Sequence, residues 1–460
     1  MDKKKLFLAM FGIITLLNVG YALLRSVRSA LVVADLGGGA GSIPLFEVCG
    51  SMPGAILMTL GLTWLLNRYP IQKVFFITIA SFIGFFLLFV FAIYPSLPMW
   101  KSSLAAMQWL PGHGVLSSFL PQLSAMIFFA MAELWKIALL TVLFWGLVNQ
   151  YLPLDSAKKY YAPLMLGGSL GTFLSGPLIS LCTSYGVSWA TSLTRMMLSL
   201  AVLSGVTVWL FSFLRKSLRE MGEMKQEGKE EKPLLSVWES IQICLRSKYL
   251  LLLAWMTIAD YIAYTLGEVI FLDVLKKLYP NPVDYCQYMG KLSTWSSVLT
   301  AISALVITPL LLRKCRWVIA SLITPVCLLA TEGAFFFALW NPKTSQNLEL
   351  LVLLGALLFC LVRAAKYTLF DTSKEISFIL LPNLEKMQGK LVIDGMCSRL
   401  GRGGASILSI GLIQMCGGVM ASSPIAGALA LGIAGSCVLA TSRLGTLIDQ
   451  KSDNLPQSNL

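Results

Sequence analysis

The sequence predicts an all-α integral membrane protein built from two similar halves, and three observations carry that prediction. The first is composition. Of 460 residues, 56% are hydrophobic and only 13% charged, too apolar a balance for a water-soluble domain. The second is a series of about twelve apolar runs, each near the roughly 20 residues needed to cross the hydrocarbon. The third is a repeated hairpin with charges inside it. Ala132 to Gly171 places Glu133 and Lys136 three residues apart in one apolar run. A polar turn follows from Asn149 to Lys159, with Pro153 and Asp155, and then a Gly-rich helix. From Leu361 the design returns, with Arg363 and Lys366 in the first helix, Pro382 in the turn, and Gly401, Gly403 and Gly404 in the second. A charged hydrophobic hairpin present once in each half is the pattern of carriers made from internal repeats.

The spans are expected to begin near Leu6, Ile43, Val74, Ala125, Tyr161, Ser188, Tyr249, Leu292, Trp317, Leu348, Leu391 and Val419. The first follows three lysines, is longer than a signal-peptide core and lacks a small-residue cleavage site, so it reads as an uncleaved span. Loops then alternate in basic content. Lys3 to Lys5, Arg68 and Lys73, Lys158 and Lys159, Arg313 to Arg316, Lys374 and Lys386, and Arg443 fall on one side. The other side holds little beyond Lys101, Lys343 and the Lys276–Lys277 pair, so both termini are expected to be cytoplasmic. The run from Arg215 to Lys232 carries both charge signs without apolar periodicity, which marks a linker. The expected organisation is a six-helix bundle over residues 1–214, a charged linker over 215–247, a second six-helix bundle over 248–448, and a polar tail over 449–460.

Composition also excludes several classes. The net charge of +13 sits mainly in short loops, where topology accounts for it, so no nucleic-acid partner is expected. Ten cysteines are scattered singly and His113 is the one histidine; neither a disulfide framework nor a metal site is predicted. No GxxxxGK[ST] loop occurs, so no hydrolytic engine is visible and no catalytic residue or cofactor is expected. Gly167-Gly168 and Gly401 to Gly404 read better as close helix packing than as phosphate cradles.

Charges inside the spans are the informative feature, because each costs about 2.5–3.5 kcal/mol at mid-membrane on insertion scales. Cations outnumber carboxylates there nine to five: Arg25, Arg28, Lys136, Arg195, Arg363, Lys366, Lys390, Arg399 and Arg402 against Glu133, Asp260, Glu268, Glu332 and Asp394. These groups either pair internally, for example Glu133 with Lys136, or line a wet cavity. The positive excess points to an anionic cargo, since Arg forks and Lys point charges are the usual partners of phosphate oxygens.

Several strings then resemble one family. They are AELWKIALLTVLFWGLVNQ with AKKYYAPLMLGGSLG, YTLGEVIFLDVLKKLYPNPVDYCQYMGKLSTW, KYTLFDTSKEISFILL with QGKLVIDGMCSRLGRGG, and LRSVRSALVVADLGGGAGSIPLFEVCGSMPGAILM. Together they cover nearly the whole chain and are similar to the ADP,ATP carrier proteins of obligate intracellular bacteria and plastids. The resemblance implies a fold like that of the major facilitator superfamily and exchange of ATP for ADP by alternating access. It implies a nucleotide substrate; separately, the start of the chain does not resemble an Arg- and Ser-rich transit peptide, so a multi-pass protein of the bacterial inner membrane is expected, as a monomer. The resemblance maps the family's charged transport residues to Arg28, Glu133, Glu268 and Lys390. Arg25, Lys136, Lys366 and Arg402 complete the expected substrate site.

One departure bears on mechanism. Relatives typically read Arg-Asp-Thr-Lys-Asp in the first span, where this chain reads Arg25-Ser26-Val27-Arg28-Ser29. Arg402 likewise stands where a Lys is usual. Proton-coupled net import of nucleotides is therefore the alternative expectation, and a carrier of another organic anion or a peptide the more remote one. Phe144, Trp145, Tyr264 and Tyr367 are candidates to stack on a base, with core packing the competing reading of each.

Overall fold

In hydrocarbon every backbone N–H and C=O needs an internal partner, and a chain of long apolar runs meets that demand as helices. The computed structural model describes residues 3–36, 38–99, 113–151, 154–184, 186–220, 237–379 and 381–453. All regular elements among the described residues are helical.

Eleven helices among the described residues are long and apolar enough to cross a membrane. They are α1 (Phe7–Asp35), α2 (Ser42–Arg68), α3 (Ile71–Met99), α4 (Pro121–Val148), α5 (Pro163–Cys182) and α6 (Trp189–Leu214). After a short helix α7 (Val237–Arg246) come α8 (Lys248–Leu278), α9 (Pro282–Lys314), α10 (Trp317–Trp340) and α11 (Leu348–Ile379). The last is α13 (Val419–Gln450). The remaining expected span, α12, is helical as Asn383–Val392, a π-helical turn Ile393–Cys397, and Ser398–Cys416. It is the least apolar of the twelve because Lys386, Lys390, Asp394, Arg399 and Arg402 all lie on it.

The expected linker is partly helical: the α6 helix continues to Glu220, and α7 occupies Val237–Arg246. Residues 221–236, with most of the charge run, lie outside the described residues, as do Lys101 and residues 454–460 of the polar tail. Large apolar side chains such as Leu57, Leu60 and Trp64 on α2, and Val202 and Trp209 on α6, are exposed. On helices of this length such surfaces face lipid.

The chain divides into two compact units. The first comprises Met1–Gly228 and Tyr279–Ser297, so it includes the start of α9. Within it α1 is central, packed on α4, α5 and α6. Its approach to α5 depends on small residues. A Cβ at Gly171 would strike the Thr15 carbonyl, and one at Gly167 would lie 2.9 Å from Ile14. This is the small-residue helix contact expected where lipid supplies no hydrophobic drive, and it confirms packing as the role of Gly167. An aromatic core of Phe75, Phe82, Phe86, Phe128, Trp135 and Phe211 fills the space between α3, α4 and α6. The Trp135 indole donates to Leu17 O at 3.2 Å.

The second unit comprises Lys229–Leu278 and Val298–Leu460. Here α8 is central, packed on α11, α12 and α13. A Cβ at Gly355 would fall in the Phe271 ring, and one at Gly401 would lie 3.0 Å from Ile258 O. Asn347 caps α11, its side chain accepting from Leu350 N at 3.0 Å, as an N-cap Asn does. Gly417 ends α12 with φ +79°, the left-handed conformation that Gly adopts without a Cβ clash. Lys276 and Lys277, the pair that misfits the loop-charge pattern, occupy the last turn of α8. The helix dipole favours cations there, and Lys277 lies 3.8 Å from Asp273.

Candidate functional site

Each unit buries a cation against a carboxylate between helices long and apolar enough to span a membrane. In the first unit Arg28, on α1, forms an ion pair with Glu133 on α4, and both side chains are almost wholly buried. The Arg28 guanidinium also lies over the Phe129 ring, 4.3 Å from its centre, a cation–π contact strengthened where water is excluded. Thus Glu133 reaches across to α1. Lys136, one turn further along α4, lies 5.6 Å from the Tyr21 ring. Arg25 is half-buried on α1, a turn before Arg28.

The altered first-span motif now has a structural account. Ser26 and Ser29, at the positions where the family resemblance leads to an expectation of carboxylates, donate into their own helix, to Ala22 O at 3.2 Å and Arg25 O at 3.0 Å. Neither hydroxyl supplies negative charge, so the counterion of Arg28 comes from α4.

In the second unit Lys366, on α11, pairs with Asp260 on α8. The Lys366 ammonium sits 3.4 Å from the centre of the Tyr261 ring. Asp260 is the partner that sequence reasoning did not assign to the site. Its position as a charge within the seventh span was the available signal, but nothing local in sequence ties it to Lys366. Glu268, on the same helix, accepts from the Tyr264 hydroxyl at 3.4 Å, a long contact.

A more solvated cluster joins α11 to α12. Lys374 contacts Asp394 at 2.7 Å and Asp371 at 3.6 Å. Lys390 contacts Glu375 at 2.6 Å, with both side chains about half exposed. Glu375 is a second partner absent from the sequence-level site. Arg402 is half-buried between the buried glycines Gly401 and Gly403. Arg363 lies over the Phe359 ring at 4.8 Å and near Tyr367 at 5.8 Å. Of the proposed base-stacking aromatics, Phe144 is buried edge-on to Trp145, whereas Tyr367 is exposed.

Five of the seven π-helical turns among the described residues carry a charged residue: Asp35, Glu47, Lys136, Lys366 and Asp394. Lys136 and Lys366 each open one, in α4 and α11 respectively. A π-turn leaves the i−4 ladder locally unmade and recurs at functional sites. Its occurrence at the repeated hairpin's lysine in both units ties the internal repeat to the charged positions. Among the described residues no three His, Cys, Asp or Glu side chains gather as metal ligands. Arg and Lys side chains are the groups in this arrangement with the chemistry to hold an anion.

A profile of the TLC ATP/ADP transporter family matches residues 2–447. The chain belongs to this family. It is 31% identical over 449 residues to ADP,ATP carrier protein 1 of Chlamydia trachomatis, covering 92% of this chain and 85% of that one. To ADP,ATP carrier protein 2, chloroplastic, of Arabidopsis thaliana it is 32% identical over 436 residues, covering 90% of this chain and 70% of the relative. Among solved structures it resembles the nucleoside transporter NupG, with a TM-score of 0.59 at 14% identity over 95% of this chain and 99% of that one. It also resembles the D-xylose-proton symporter, with a TM-score of 0.57 at 13% identity over 95% and 97%. At such identities the likeness is one of fold, that of the major-facilitator transporters. The TLC chain is thus a multi-pass membrane carrier and not an enzyme.

Proposed function

We propose that this TLC-family chain exchanges ATP for ADP across a bacterial inner membrane by alternating access. The observation that carries the reading is the buried Arg28–Glu133 pair in one unit and the buried Lys366–Asp260 pair in the other. A buried pair is a poor source of stability, because desolvation offsets much of its attraction. It is a suitable holder for a cation that must later bind phosphate, since the carboxylate neutralises the cation while the site is empty. Arg28 supplies a fork for bidentate contact and Lys366 a point charge. Lys390, Arg25 and Arg402 add positive charge, and Lys136 and Glu268 take part as the second members of their clusters. Lys390 and Glu375, being half exposed, form the contact that an arriving anion exchanges most readily.

Exchange of ATP for ADP moves about one net charge, worth about 2.3 kcal/mol per 100 mV, so voltage and nucleotide ratio together set the direction of flow. The test is uptake of labelled ATP by proteoliposomes with and without internal ADP. Exchange requires the internal partner. Uptake into ADP-free vesicles that a protonophore abolishes would replace exchange with proton-driven import. Competition by unlabelled nucleotides then defines the base and the number of phosphates accepted.

A further inference from the structure

Glu332 has no part in the reading above, yet it is the most deeply buried carboxyl among the described residues of the second unit. It lies on α10, is fully excluded from solvent, and neither of its oxygens has a hydrogen-bond partner among the described residues. A Cβ at Gly267 would meet its Oε1 at 3.0 Å, so the carboxyl is pressed against the backbone of α8. An ionised carboxylate cannot rest unpaired in such surroundings; it holds a proton instead. The elements packed on α10 bring Asp260, Tyr264 and Glu268 on α8, Cys360, Arg363, Lys366, Asp371 and Lys374 on α11, Arg313 and Lys314 at the end of α9, and Cys437 and Arg443 on α13. Of these, Asp260 lies two turns before Gly267 on the same face of α8, and Asp260 is the carboxylate that pairs with Lys366. The Asp260 Oδ1 is itself without a hydrogen-bond partner among the described residues. Two buried carboxyls thus share the neighbourhood of one ammonium.

We propose that Glu332 is a proton-binding site whose occupancy is linked to anion binding at Lys366. With Glu332 protonated, one carboxylate balances Lys366, and an anion that reaches Lys366 meets a single competing charge. With Glu332 ionised, a second negative charge stands beside Asp260, which holds the ammonium more tightly and repels the anion. Proton and anion therefore favour each other's binding, and the coupling is reciprocal. An exchanger built this way carries the proton with its nucleotide in both directions, so its flux depends on pH. The inference rests on the proposal that Lys366 contacts the nucleotide.

The experiment is titration calorimetry of ATP binding to the purified full chain in buffers of different ionisation enthalpy, for wild type and Glu332→Gln. At the alkaline pH where Glu332 of the empty protein ionises, wild type should take up protons on binding, beyond those the nucleotide itself exchanges. Its affinity should fall by about 5- to 150-fold as Glu332 ionises, the usual range of coupling between sites. The amide of Glu332→Gln mimics the protonated acid, so the variant should bind ATP, lose that extra uptake and show a flatter pH profile. Equal proton uptake in both proteins at that alkaline pH overturns the proposal. An infrared measurement needs no nucleotide: the carbonyl stretch of an un-ionised carboxylic acid should be present in wild type and diminished in Glu332→Gln. An unchanged band overturns the proton site. A diminished band together with no ATP binding at any pH instead removes the nucleotide reading, and the linkage with it.

Discussion

Removing Glu133 tests whether the first unit holds a buried charge or a hydrated one. In Glu133→Ala the Arg28 guanidinium, whose side chain is 11% exposed, loses its acid while remaining enclosed. Breaking a buried pair from one side costs about 3–5 kcal/mol. The Phe129 ring, 4.3 Å from the guanidinium carbon, stays in place and contributes about 0.5–2 kcal/mol, which sets the expected loss at the lower end, about 3 kcal/mol. For a unit of this size that corresponds to a fall in Tm of roughly 6–12 °C, readable from tryptophan fluorescence of the detergent-solubilised protein. The double variant Arg28→Met/Glu133→Leu removes both charges and keeps similar volume, so most of the stability should return. It should nevertheless fail to take up ATP, because the phosphate fork is gone. A Glu133→Ala protein as stable as wild type would show that water reaches Arg28 and that the pair is not buried as the structure has it. A double variant that transports normally would remove Arg28 from the substrate site.

Other perturbations separate binding from packing. Lys390→Ala should insert and fold, since its partner Glu375 is half exposed, but should lose nucleotide binding measured by calorimetry. Gly176→Val would place its Cβ on Thr294 Oγ1 and 2.8 Å from Gly290 O; overpacking of this kind costs about 1–3 kcal/mol, visible as a lowered Tm. Asp35 accepts from the Tyr94 hydroxyl at 2.9 Å and the Trp189 indole at 2.8 Å. Asp35→Ala should cost about 1.5–3 kcal/mol for each charged hydrogen bond lost and change the Trp189 emission. Burial, with Cys397 nearby, pushes the Cys244 thiol up to about 11. Because the thiolate is the nucleophile, maleimide labelling of Cys244 at pH 8 should lag far behind that of the unfolded chain and rise with pH.

How much of this was legible in the sequence follows from what the membrane forces. Helices of about 20 apolar residues are the only economical way through hydrocarbon, so eleven of the twelve expected spans match a helix that passes on length and hydropathy. The twelfth, expected from Leu391, is helical but falls short on hydropathy, because six charges, Glu385 among them, lie along it. The charged positions were equally legible, since a charge in a span is expensive and so conspicuous. Their partners were not. Glu133 has Lys136 three residues away, which a helical wheel places on the same side, but nothing in the sequence singles out its ion-pair partner Arg28 on α1. That choice is made by how α1 seats on α4 and α5, through contacts as small as Gly171 against the Thr15 carbonyl. The pairing of Lys366 with Asp260 has the same origin, in the packing of α11 on α8. The π-turns that open at Lys136 and Lys366 left no mark in the apolar pattern, because one extra residue in a helix shifts the apolar stripe without interrupting it. What the sequence could not carry is therefore pairing across helices, and in a carrier pairing is the quantity the substrate must change.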